Sequence, residues 1–286
     1  MYGVTTMDIA LLGGGGVGRG LLEILRDKGA FLAEQYGFTA RITAAATRTR
    51  GTVVSAGGID IDWLLSTDDL AAGAARGYTT GWDALRIAGE APAQVMVEAT
   101  PTDLATAQPA LDHCRAALTA RRHLVLANKG PIALAYDALR RMAASAGVML
   151  RFEATVMSGT PSLRLAMQAL AGCSITAARG ILNGTTNFML SLMESGAVYA
   201  DALAEAQRLG YAEADPSADV DGFDAAGKGI ILAAALFNTA LTLDQMHIAG
   251  IRTLTQADIA AAAAAGERWK LIVEVTPQGG RIRWQG

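Results

Sequence analysis

A run of glycines, Gly13–Gly18, follows the first apolar segment of the chain and most constrains its fold. The apolar segment Met7–Leu12 predicts a β-strand, and Val17–Tyr36 carries leucines at helical spacing. The pattern G-x-G-x-x-G is satisfied by Gly13, Gly15 and Gly18. Between a strand and a helix, such glycines form a tight turn and let the backbone approach a pyrophosphate at the helix N-terminus. We therefore predict a dinucleotide-binding loop, with a purely structural glycine turn as the alternative.

The first half of the chain alternates strand-like and helix-like segments. Short apolar runs predict further strands at Arg41–Thr47, Gln94–Ala99, His123–Ala127 and Val148–Phe152. Helical spacing covers Leu104–Leu118 and Pro131–Ala146, the second with a proline in its first turn. Alternating βα units imply a doubly wound parallel sheet. We therefore expect an α/β, Rossmann-type NAD(P)-binding domain over residues 1–152.

The pattern changes after Phe152. Thr160 and Pro161 predict the N-cap and first residue of a helix, and Ser174–Leu182 predicts a strand. The remaining predicted elements are three helices and a hairpin, at Thr186–Glu194, Tyr199–Leu209, Asp221–Leu236, and Lys270–Thr276 with Arg281–Trp284. We expect residues 153–286 to form an α+β domain with a mixed sheet for substrate binding, catalysis and dimerisation. The strand Ser174–Leu182 needs a covered edge, which predicts a homodimer.

The composition describes a folded chain without a dominant charge. Of the 286 residues, 51% are hydrophobic, and the formal net charge of −3 argues against nucleic acid or an anionic membrane as the main partner. The longest apolar stretch, Gly229–Leu243, is too short and too interrupted to span a bilayer. Cys114 and Cys173 lack partner spacing and are expected to be buried thiols in a reducing compartment. A cytoplasmic protein is therefore expected.

The second predicted strand ends in the sequence Thr47-Arg48-Thr49-Arg50. An NAD site usually has an acidic residue at this place for the ribose diol, whereas arginines and hydroxyls suit a 2′-phosphate. This favours NADP over NAD. The alternative is that the arginines are solvated on a loop.

Lys228 stands among small and apolar residues, directly after a loop rich in acidic residues. On a helix beginning near Asp221, Asp224 and Lys228 are four residues apart and share one face, with Asp221 one turn earlier. Loss of water disfavours the charged form of a lysine, and a nearby carboxylate favours it, a competition that suits acid/base work. The alternative is a solvated ion pair on a helix surface.

Several motifs together resemble the homoserine dehydrogenase family over nearly the whole chain. They run from GGGGVG through VEATPT, ANKGPIAL, FEATVMSGTP and ILNGTTNFML to GYAEADPSADVDGFDAAGK and AGIRTLT. The resemblance implies NAD(P)-dependent interconversion of L-homoserine and L-aspartate 4-semialdehyde, a branch of threonine, methionine and isoleucine biosynthesis. The resemblance thus implies a small amino-acid substrate.

The resemblance also implies roles for individual residues. Lys228 would be the acid/base, Asp224 would orient the reacting hydroxyl, and Lys129 would lie near nicotinamide and substrate. The implied substrate-binding residues are Glu213, Asp219, Asn183, Gly184 and Thr185. The expected cofactor-binding residues are Gly13, Gly15, Gly16, Val17, Gly18, Thr47, Arg48, Thr100 and Lys129. A sodium site built largely of backbone carbonyls would involve Glu153, Val156, Ser158 and Thr160. Which of Glu213 and Asp219 takes the α-ammonium stays open.

Two alternatives to this reading remain. One is a different Rossmann-type NAD(P) oxidoreductase that acts on another small carbonyl. The other is an inactive or truncated homologue, because the family's chain normally continues past the final hairpin into a helix that returns to the nucleotide domain, whereas this sequence ends at Gly286. A zinc dehydrogenase is disfavoured because His113, His123 and His247 are scattered, and a thiol-dependent enzyme because neither cysteine follows a strand.

Overall fold

The computed structural model describes residues 5–285, and the chain divides into two compact units. Unit 1 ends at Ser158 and unit 2 begins at Gly159. The boundary expected from the sequence, after Phe152, lies a few residues earlier. Residues 1–4 and Gly286, the two ends of the predicted domain ranges 1–152 and 153–286, lie outside the described residues.

Unit 1 is built on a seven-stranded sheet with the order β4-β3-β2-β1-β5-β6-β7. The strands are β1 Thr5–Leu12, β2 Phe38–Thr47, β3 Gly51–Val54, β4 Thr79–Thr80, β5 Val95–Glu98, β6 His123–Leu126 and β7 Leu150–Arg151. The five strands other than β3 and β4 pair in parallel. The predicted doubly wound sheet is therefore confirmed, and β1 lies at its centre between β2 and β5.

Within residues 5–158, five helices and one 3₁₀ turn connect the strands of unit 1, and a sixth helix follows β7. They are α1 Gly16–Tyr36, α2 Ile61–Ser66, the 3₁₀ turn Leu70–Arg76, α3 Ala84–Glu90, α4 Ala110–Thr119, α5 Lys129–Ala146 and α6 Ala154–Met157. Helix α1 ends at Gly37, whose φ of 61° lets the chain leave the helix in the left-handed conformation. Apolar side chains such as Ile9, Ile42 and Val53 form the core on the sheet.

Part of β6 lies at an open face of the sheet. Val125 is 37% exposed, although it belongs to a strand with parallel neighbours on both sides. A cavity of about 380 Å³ adjoins it, and its lining includes Val95, Val97 and Leu21. Parallel sheets usually pack helices on both faces. The helices of unit 1 thus leave an apolar groove along β5 and β6.

Unit 2 contains a four-stranded mixed sheet with the order β8-β10-β11-β9. The strands are β8 Ala178–Gly180, β9 His247–Ile248, β10 Lys270–Thr276 and β11 Gly279–Gln285. The helices are α7 Ser162–Arg164, α8 Gly184–Glu194, α9 Tyr199–Arg208, α10 Ser217–Val220, α11 Phe223–Phe237 and α12 Gln256–Ala264. Helix α11 packs on β10 through Gly229, whose missing side chain leaves room for Val273. The expected α+β unit with a mixed sheet is confirmed.

Three local predictions were wrong. The strand expected at Ser174–Leu182 is only the three residues of β8. The helix expected from Thr160 is broken: Pro161 is the N-cap residue without a side-chain cap, α7 is three residues long, and a π-helical turn follows at Leu165–Ala169. The helix expected from Leu104 begins only at Ala110. In addition, strand β3 and the edge strand β4 were not predicted at all.

Two further features concern whole-chain expectations. Across residues 5–285, no helix combines the length and the apolar character needed to cross a bilayer. Cys114 is buried as expected, but Cys173 is exposed because it lies in the surface turn that follows the π-helical turn ending at Ala169. The prediction of two buried thiols was therefore wrong for Cys173.

Candidate functional site

Two glycines of the loop after β1 are required by close backbone contacts. Gly13 has a φ of 105°, and a Cβ built on it would lie 2.2 Å from the carbonyl oxygen of Ala99. A Cβ on Gly18 would lie 2.0 Å from the carbonyl oxygen of Gly13. Both distances are far below van der Waals contact. These glycines therefore hold the loop, the first turn of α1 and the end of β5 together.

The middle of the glycine loop is open instead. A Cβ on Gly15 or Gly16 would meet no atom within 4 Å. Gly15 is the N-cap residue of α1, the first turn of α1 has no acidic side chain, and Val17 is exposed there. The N-terminus of this long helix offers backbone N–H groups and a partial positive charge. The cradle thus has the shape and charge that a pyrophosphate requires, so the residues fit a dinucleotide.

The turn after β2 separates the predicted arginines by role. The hydroxyl of Thr47 accepts a hydrogen bond from the backbone N–H of Arg50 at 2.8 Å. The guanidinium of Arg50 donates to the carbonyl oxygens of Leu64 and Thr67, both at 3.0 Å. Arg48 is exposed. Thr47 and Arg50 therefore build the turn, and Arg48 presents its charge to solvent.

A buried polar cluster lies at the ends of β5 and β6. Of its residues, only Thr100 was predicted from the sequence as a site residue. The fully buried Glu98 accepts hydrogen bonds from the backbone N–H of Thr100 at 2.9 Å and from its hydroxyl, and lies 2.9 Å from Nδ1 of His113. The Nδ2 amide of Asn128 donates to the carbonyl oxygens of Thr100 and Pro101 at 3.1 and 3.0 Å. The polar residues within the VEATPT and ANKG motifs were the available signal. The cluster fixes the loop after β5.

Lys129 is the first residue of α5. Asn128 caps this helix, because its Oδ1 accepts from the backbone N–H of Gly130 at 3.0 Å. The backbone N–H of Lys129 lies 3.3 Å from the hydroxyl of Thr102, which accepts it. The lysine predicted from the ANK motif is thus tied to the loop after β5.

In unit 2, Lys228 is held between a carboxylate and a carbonyl. Its Nζ donates to Oδ2 of Asp224 and to the carbonyl oxygen of Leu182, both at 2.6 Å. The side chains of Lys228 and Asp224 are 15% and 17% exposed. The ion pair is therefore mostly withdrawn from water, and the interpretation as a solvated surface pair was wrong.

Asn183 joins this pair to a second carboxylate. Its Nδ2 donates to Oδ1 of Asp219 at 2.6 Å and to Oδ2 of Asp224 at 2.9 Å. Its Oδ1 accepts from the backbone N–H of Thr186 and thereby caps α8. Four of the predicted site residues, Asn183, Asp219, Asp224 and Lys228, thus form one hydrogen-bonded network.

Asp221 does not share the face of Asp224 and Lys228, so that prediction was wrong. Helix α11 begins only at Phe223, after Gly222 at a φ of 88°, and Asp221 ends the preceding turn α10. Its carboxylate forms a bidentate ion pair with Arg252, and this hydrogen bond raises the pKa of Arg252. Nearby, burial raises the pKa of Tyr199. Asp221 therefore fastens α10 to the segment after β9.

The remaining predicted substrate residues lie at the start of α8 and in the acidic loop, which is the segment between α9 and α10. Gly184 is exposed as the first residue of α8, while the hydroxyl of Thr185 donates to the carbonyl oxygen of Tyr211 at 2.7 Å. The side chain of Glu213 is exposed, and its backbone carbonyl accepts from Nε2 of Gln207 at 3.0 Å. Thr185 and Gln207 thus hold the acidic loop from two sides.

The residues expected to hold sodium belong to both units. Glu153, Val156 and Ser158 lie in unit 1, and Thr160 lies in unit 2. Ser158 has a φ of 52°, a conformation that glycine adopts more easily. Over residues 5–285, no group of three or more His, Cys, Asp or Glu side chains is arranged to hold a metal ion.

Comparisons with known proteins agree with these motifs. The homoserine dehydrogenase family model matches residues 161–285. An NAD(+)-dependent homoserine dehydrogenase from Pseudomonas canavaninivorans is 41% identical over 277 residues, which are 96% of this chain and 78% of that protein. A homoserine dehydrogenase from Methanocaldococcus jannaschii is 35% identical over 94% of this chain and 80% of its own length.

Solved structures give the same result. The crystal structure of a putative homoserine dehydrogenase from Archaeoglobus fulgidus superposes with a TM-score of 0.85 at 31% identity, covering 98% of this chain and 83% of that one. A hyperthermophilic archaeal homoserine dehydrogenase in complex with NADPH gives a TM-score of 0.80 at 26% identity, covering 98% and 82%. The likeness covers nearly the whole chain and so extends through both units. The chain therefore belongs to the homoserine dehydrogenase family.

Proposed function

We propose that this chain catalyses the NAD(P)-dependent interconversion of L-homoserine and L-aspartate 4-semialdehyde. The observation that carries the proposal is the environment of Lys228, whose Nζ lies 2.6 Å from Asp224 while that carboxylate also accepts from Asn183. A lysine placed in this way can exchange a proton without leaving its partners. Family membership supplies the substrate class.

The glycine loop of unit 1 would hold the pyrophosphate of NAD(P), at the N-terminus of α1 and over the open positions Gly15 and Gly16. Thr100 and Lys129 would lie at the nicotinamide end, because both follow parallel strands at the carboxyl edge of the sheet. When bound, the nicotinamide supplies or accepts the hydride. Exposed Arg48 supports NADP as the preferred form, since its guanidinium can bind a 2′-phosphate.

Lys228 would move the proton. As homoserine is oxidised, the neutral amine of Lys228 takes the proton of the hydroxyl while the hydride leaves carbon. In the reverse direction, its ammonium protonates the alkoxide that forms from the aldehyde. Asp224 would orient the reacting hydroxyl and hold the lysine in place.

The acidic loop and the start of α8 would bind the two charged ends of the substrate. Glu213 and Asp219 offer carboxylates to the α-ammonium. The first turn of α8 contains no acidic side chain, and its N-terminus at Gly184 and Thr185 suits the α-carboxylate. A substrate without either charge would bind poorly.

We place the enzyme in the cytoplasm as a homodimer. Both cysteines are unpaired, in keeping with a reducing compartment. Strand β8 is an edge of its sheet, and exposed apolar side chains lie near it in sequence at Leu165, Met167, Leu170 and Ile181. Covering such an edge in a dimer removes a liability for aggregation. The carbonyls of Glu153, Val156, Ser158 and Thr160 remain the proposed sodium ligands.

The test compares substrates that differ only in the charged groups. Initial rates of NADP⁺ and NAD⁺ reduction are measured with L-homoserine, with 4-hydroxybutanoate, which lacks the ammonium, and with propan-1-ol, which lacks both charges. We expect turnover of L-homoserine and a kcat/KM at least about 100-fold lower for 4-hydroxybutanoate. Equal turnover of the three alcohols would point to a different oxidoreductase. An enzyme that binds NADPH but leaves L-homoserine unchanged would contradict the proposal.

A further inference from the structure

The side-chain amide of Asn183 uses its full hydrogen-bonding capacity within the protein. Its two amide hydrogens go to Asp219 and Asp224, at 2.6 and 2.9 Å. Its Oδ1 accepts from the backbone N–H of Thr186 at 2.8 Å and from the Thr186 hydroxyl at 2.9 Å. An asparagine amide has two donor hydrogens and one oxygen with two lone pairs. No donor of the Asn183 side chain is therefore left for a substrate.

The orientation of this amide is determined by its surroundings. A flipped amide would turn Oδ1 toward two carboxylates and its NH₂ group toward a backbone N–H donor, and both contacts would be repulsive. Asn183 is 3% exposed and Thr186 is fully buried, so water cannot substitute for the lost bonds without rearrangement. Thr186 and the two carboxylates therefore together determine which way the amide points.

We propose that Asn183 is a positioning residue of the acid/base machinery, oriented by Thr186, and that it does not bind the substrate directly. The inference rests on the proposed function, because it concerns how Lys228 is held for proton transfer. It differs from the role in substrate binding that the family resemblance implies for Asn183.

The charges around the amide explain why such a residue is needed. Asp219 on α10 and Asp224 on α11 approach a single NH₂ group, where two carboxylates repel each other. Lys228 bonds to Asp224, and the exposed Glu213 belongs to the preceding loop. The two amide hydrogens, one donated to each carboxylate, offset part of this repulsion and fix the separation of Asp219 and Asp224. A single oxygen of Asp224, Oδ2, then accepts hydrogen bonds from both Asn183 and Lys228.

A further carboxylate next to α10, that of Asp221, is already paired. Asp221, the residue that directly follows α10, binds Arg252 in a bidentate ion pair. This pair anchors α10 from the other side and leaves Asp219 to Asn183. The position of Asp219 thus depends on the Asp221–Arg252 pair, and that of Asp224 on its ion pair with Lys228. The amide of Asn183 joins the two carboxylates.

The test uses matched variants of Thr186 and Asn183. Thr186→Val removes the hydroxyl that orients the amide and keeps the volume, while Thr186→Ser restores the hydroxyl. Asn183→Asp retains the cap of α8 but replaces two donors with a third carboxylate. Ser191→Ala, which removes another hydroxyl bonded within α8, is the control. For each variant, kcat and KM for L-homoserine are measured across pH, together with NADPH affinity.

We expect Thr186→Val to lower kcat about 3- to 10-fold and Asn183→Asp about 100-fold, with little change in KM. In Asn183→Asp the rising limb of kcat moves to higher pH by about one unit, because added negative charge favours the protonated lysine. Thr186→Ser and Ser191→Ala behave like the wild type. NADPH affinity is unchanged throughout. A merely structural role would lower the melting temperature without moving the pH limb.

Two results would overturn the inference. The first is an Asn183→Asp variant with a raised KM and an unshifted kcat profile, which indicates direct substrate binding. The second does not depend on turnover: the side-chain amide resonances of Asn183 should exchange slowly with solvent, and rapid exchange would contradict the network itself. If wild type fails to oxidise L-homoserine while these amide protons are protected, the proposed function fails and the network stands.

Discussion

At the residue scale, the ion pair of Lys228 and Asp224 differs from a surface pair in its surroundings. Both side chains are less than one-fifth exposed, and Nζ also donates to the carbonyl oxygen of Leu182. Exposed pairs of this spacing contribute only about 0.3–0.5 kcal/mol, because water screens them. Here each partner has given up water and received protein hydrogen bonds instead. Such a pair is better suited to chemistry than to stability.

The sequence predicted part of this network. Asp224 and Lys228 are four residues apart on one helix, so their contact follows from helical geometry. Asn183, by contrast, bonds to Asp219 and Asp224, which lie 36 and 41 positions further along the chain. It depends on how α8, α10 and α11 pack, which no local pattern encodes. Asp221 was misplaced because Gly222 breaks the chain between α10 and α11.

The two cysteines should differ in reactivity. Burial raises the pKa of the Cys114 thiol, and the nearby charge of Glu98 raises it further, whereas Cys173 is exposed. With Ellman's reagent at pH 8, we expect one thiol per native chain to react rapidly and the second only after unfolding. Cys173→Ser should abolish the rapid reaction. Rapid labelling of Cys114 in the native protein would contradict its burial.

The same group should affect stability at high pH. The folded state keeps the Cys114 proton while the unfolded state releases it above about pH 9. The folded state then binds more protons, so the free energy of unfolding falls as pH rises through that range. Urea unfolding of the wild type and of Cys114→Ala, compared between pH 7 and pH 10, measures the difference. An equal pH dependence in the two proteins would contradict it.

At the element scale, long periodic segments were predicted well and short ones were not. Helices α1 and α5 and the hairpin of β10 and β11 have strong patterns and lie close to their predicted bounds. Strand β8 is short because only Ala178–Gly180 reaches β10. The segment after Pro161 was expected to be a regular helix, and its π-helical turn depends on tertiary contacts rather than on propensity.

The open glycine positions allow a test of the cofactor cradle. Gly15→Ala adds a methyl group where the protein leaves space, so we expect the melting temperature to change by less than about 3 °C. The same methyl group would meet a bound pyrophosphate, so the Kd for NADPH should rise at least about tenfold. Gly20→Ala, also in open space but inside α1, is the control and should leave Kd unchanged. Equal Kd values for the three proteins would contradict the cradle.

Arg122 connects α3 to the strand region by capping the helix. Its buried guanidinium donates to four carbonyl oxygens at the end of α3, those of Ile87, Ala88, Gly89 and Ala91. Arg122→Met leaves these acceptors without their donor and should lower the free energy of unfolding by about 3 kcal/mol. The control is Arg121, the exposed neighbour of Arg122. Arg121→Met should change the free energy of unfolding by less than about 0.5 kcal/mol. Urea unfolding measures both, and equal values would contradict the capping role.

At the scale of the whole molecule, each unit has its own core and its own candidate site. Unit 1 carries the glycine cradle, and unit 2 carries the network of Lys228. The alternation of strands and helices predicted the class of unit 1, and the family motifs predicted most of the residues of unit 2. The groove beside Val125 could not be predicted, because a continuous apolar strand reads the same whether one or both faces are covered.

The proposed dimer should appear as a mass twice that of the 29.6 kDa chain. Light scattering after size exclusion measures this mass. The double variant Leu165→Lys with Ile181→Lys introduces charges at two exposed apolar residues of unit 2, the second directly after the edge strand β8, and should give monomers. Leu85→Lys, at an exposed leucine of unit 1, should leave the mass unchanged. A monomeric wild type, or a double variant that remains a dimer, would contradict the proposed interface.

The most direct test of the central claim is the initial rate of NADPH oxidation with L-aspartate 4-semialdehyde, for the wild type and for Lys228→Met. Methionine keeps the length and packing of the side chain but cannot transfer a proton. Lys28→Ala, at an exposed lysine, is the control, and NADPH binding is measured in parallel. We predict that Lys228→Met binds NADPH normally and loses at least about 100-fold in kcat, with the control unchanged. A Lys228→Met enzyme with a kcat within about twofold of the wild type would contradict the account.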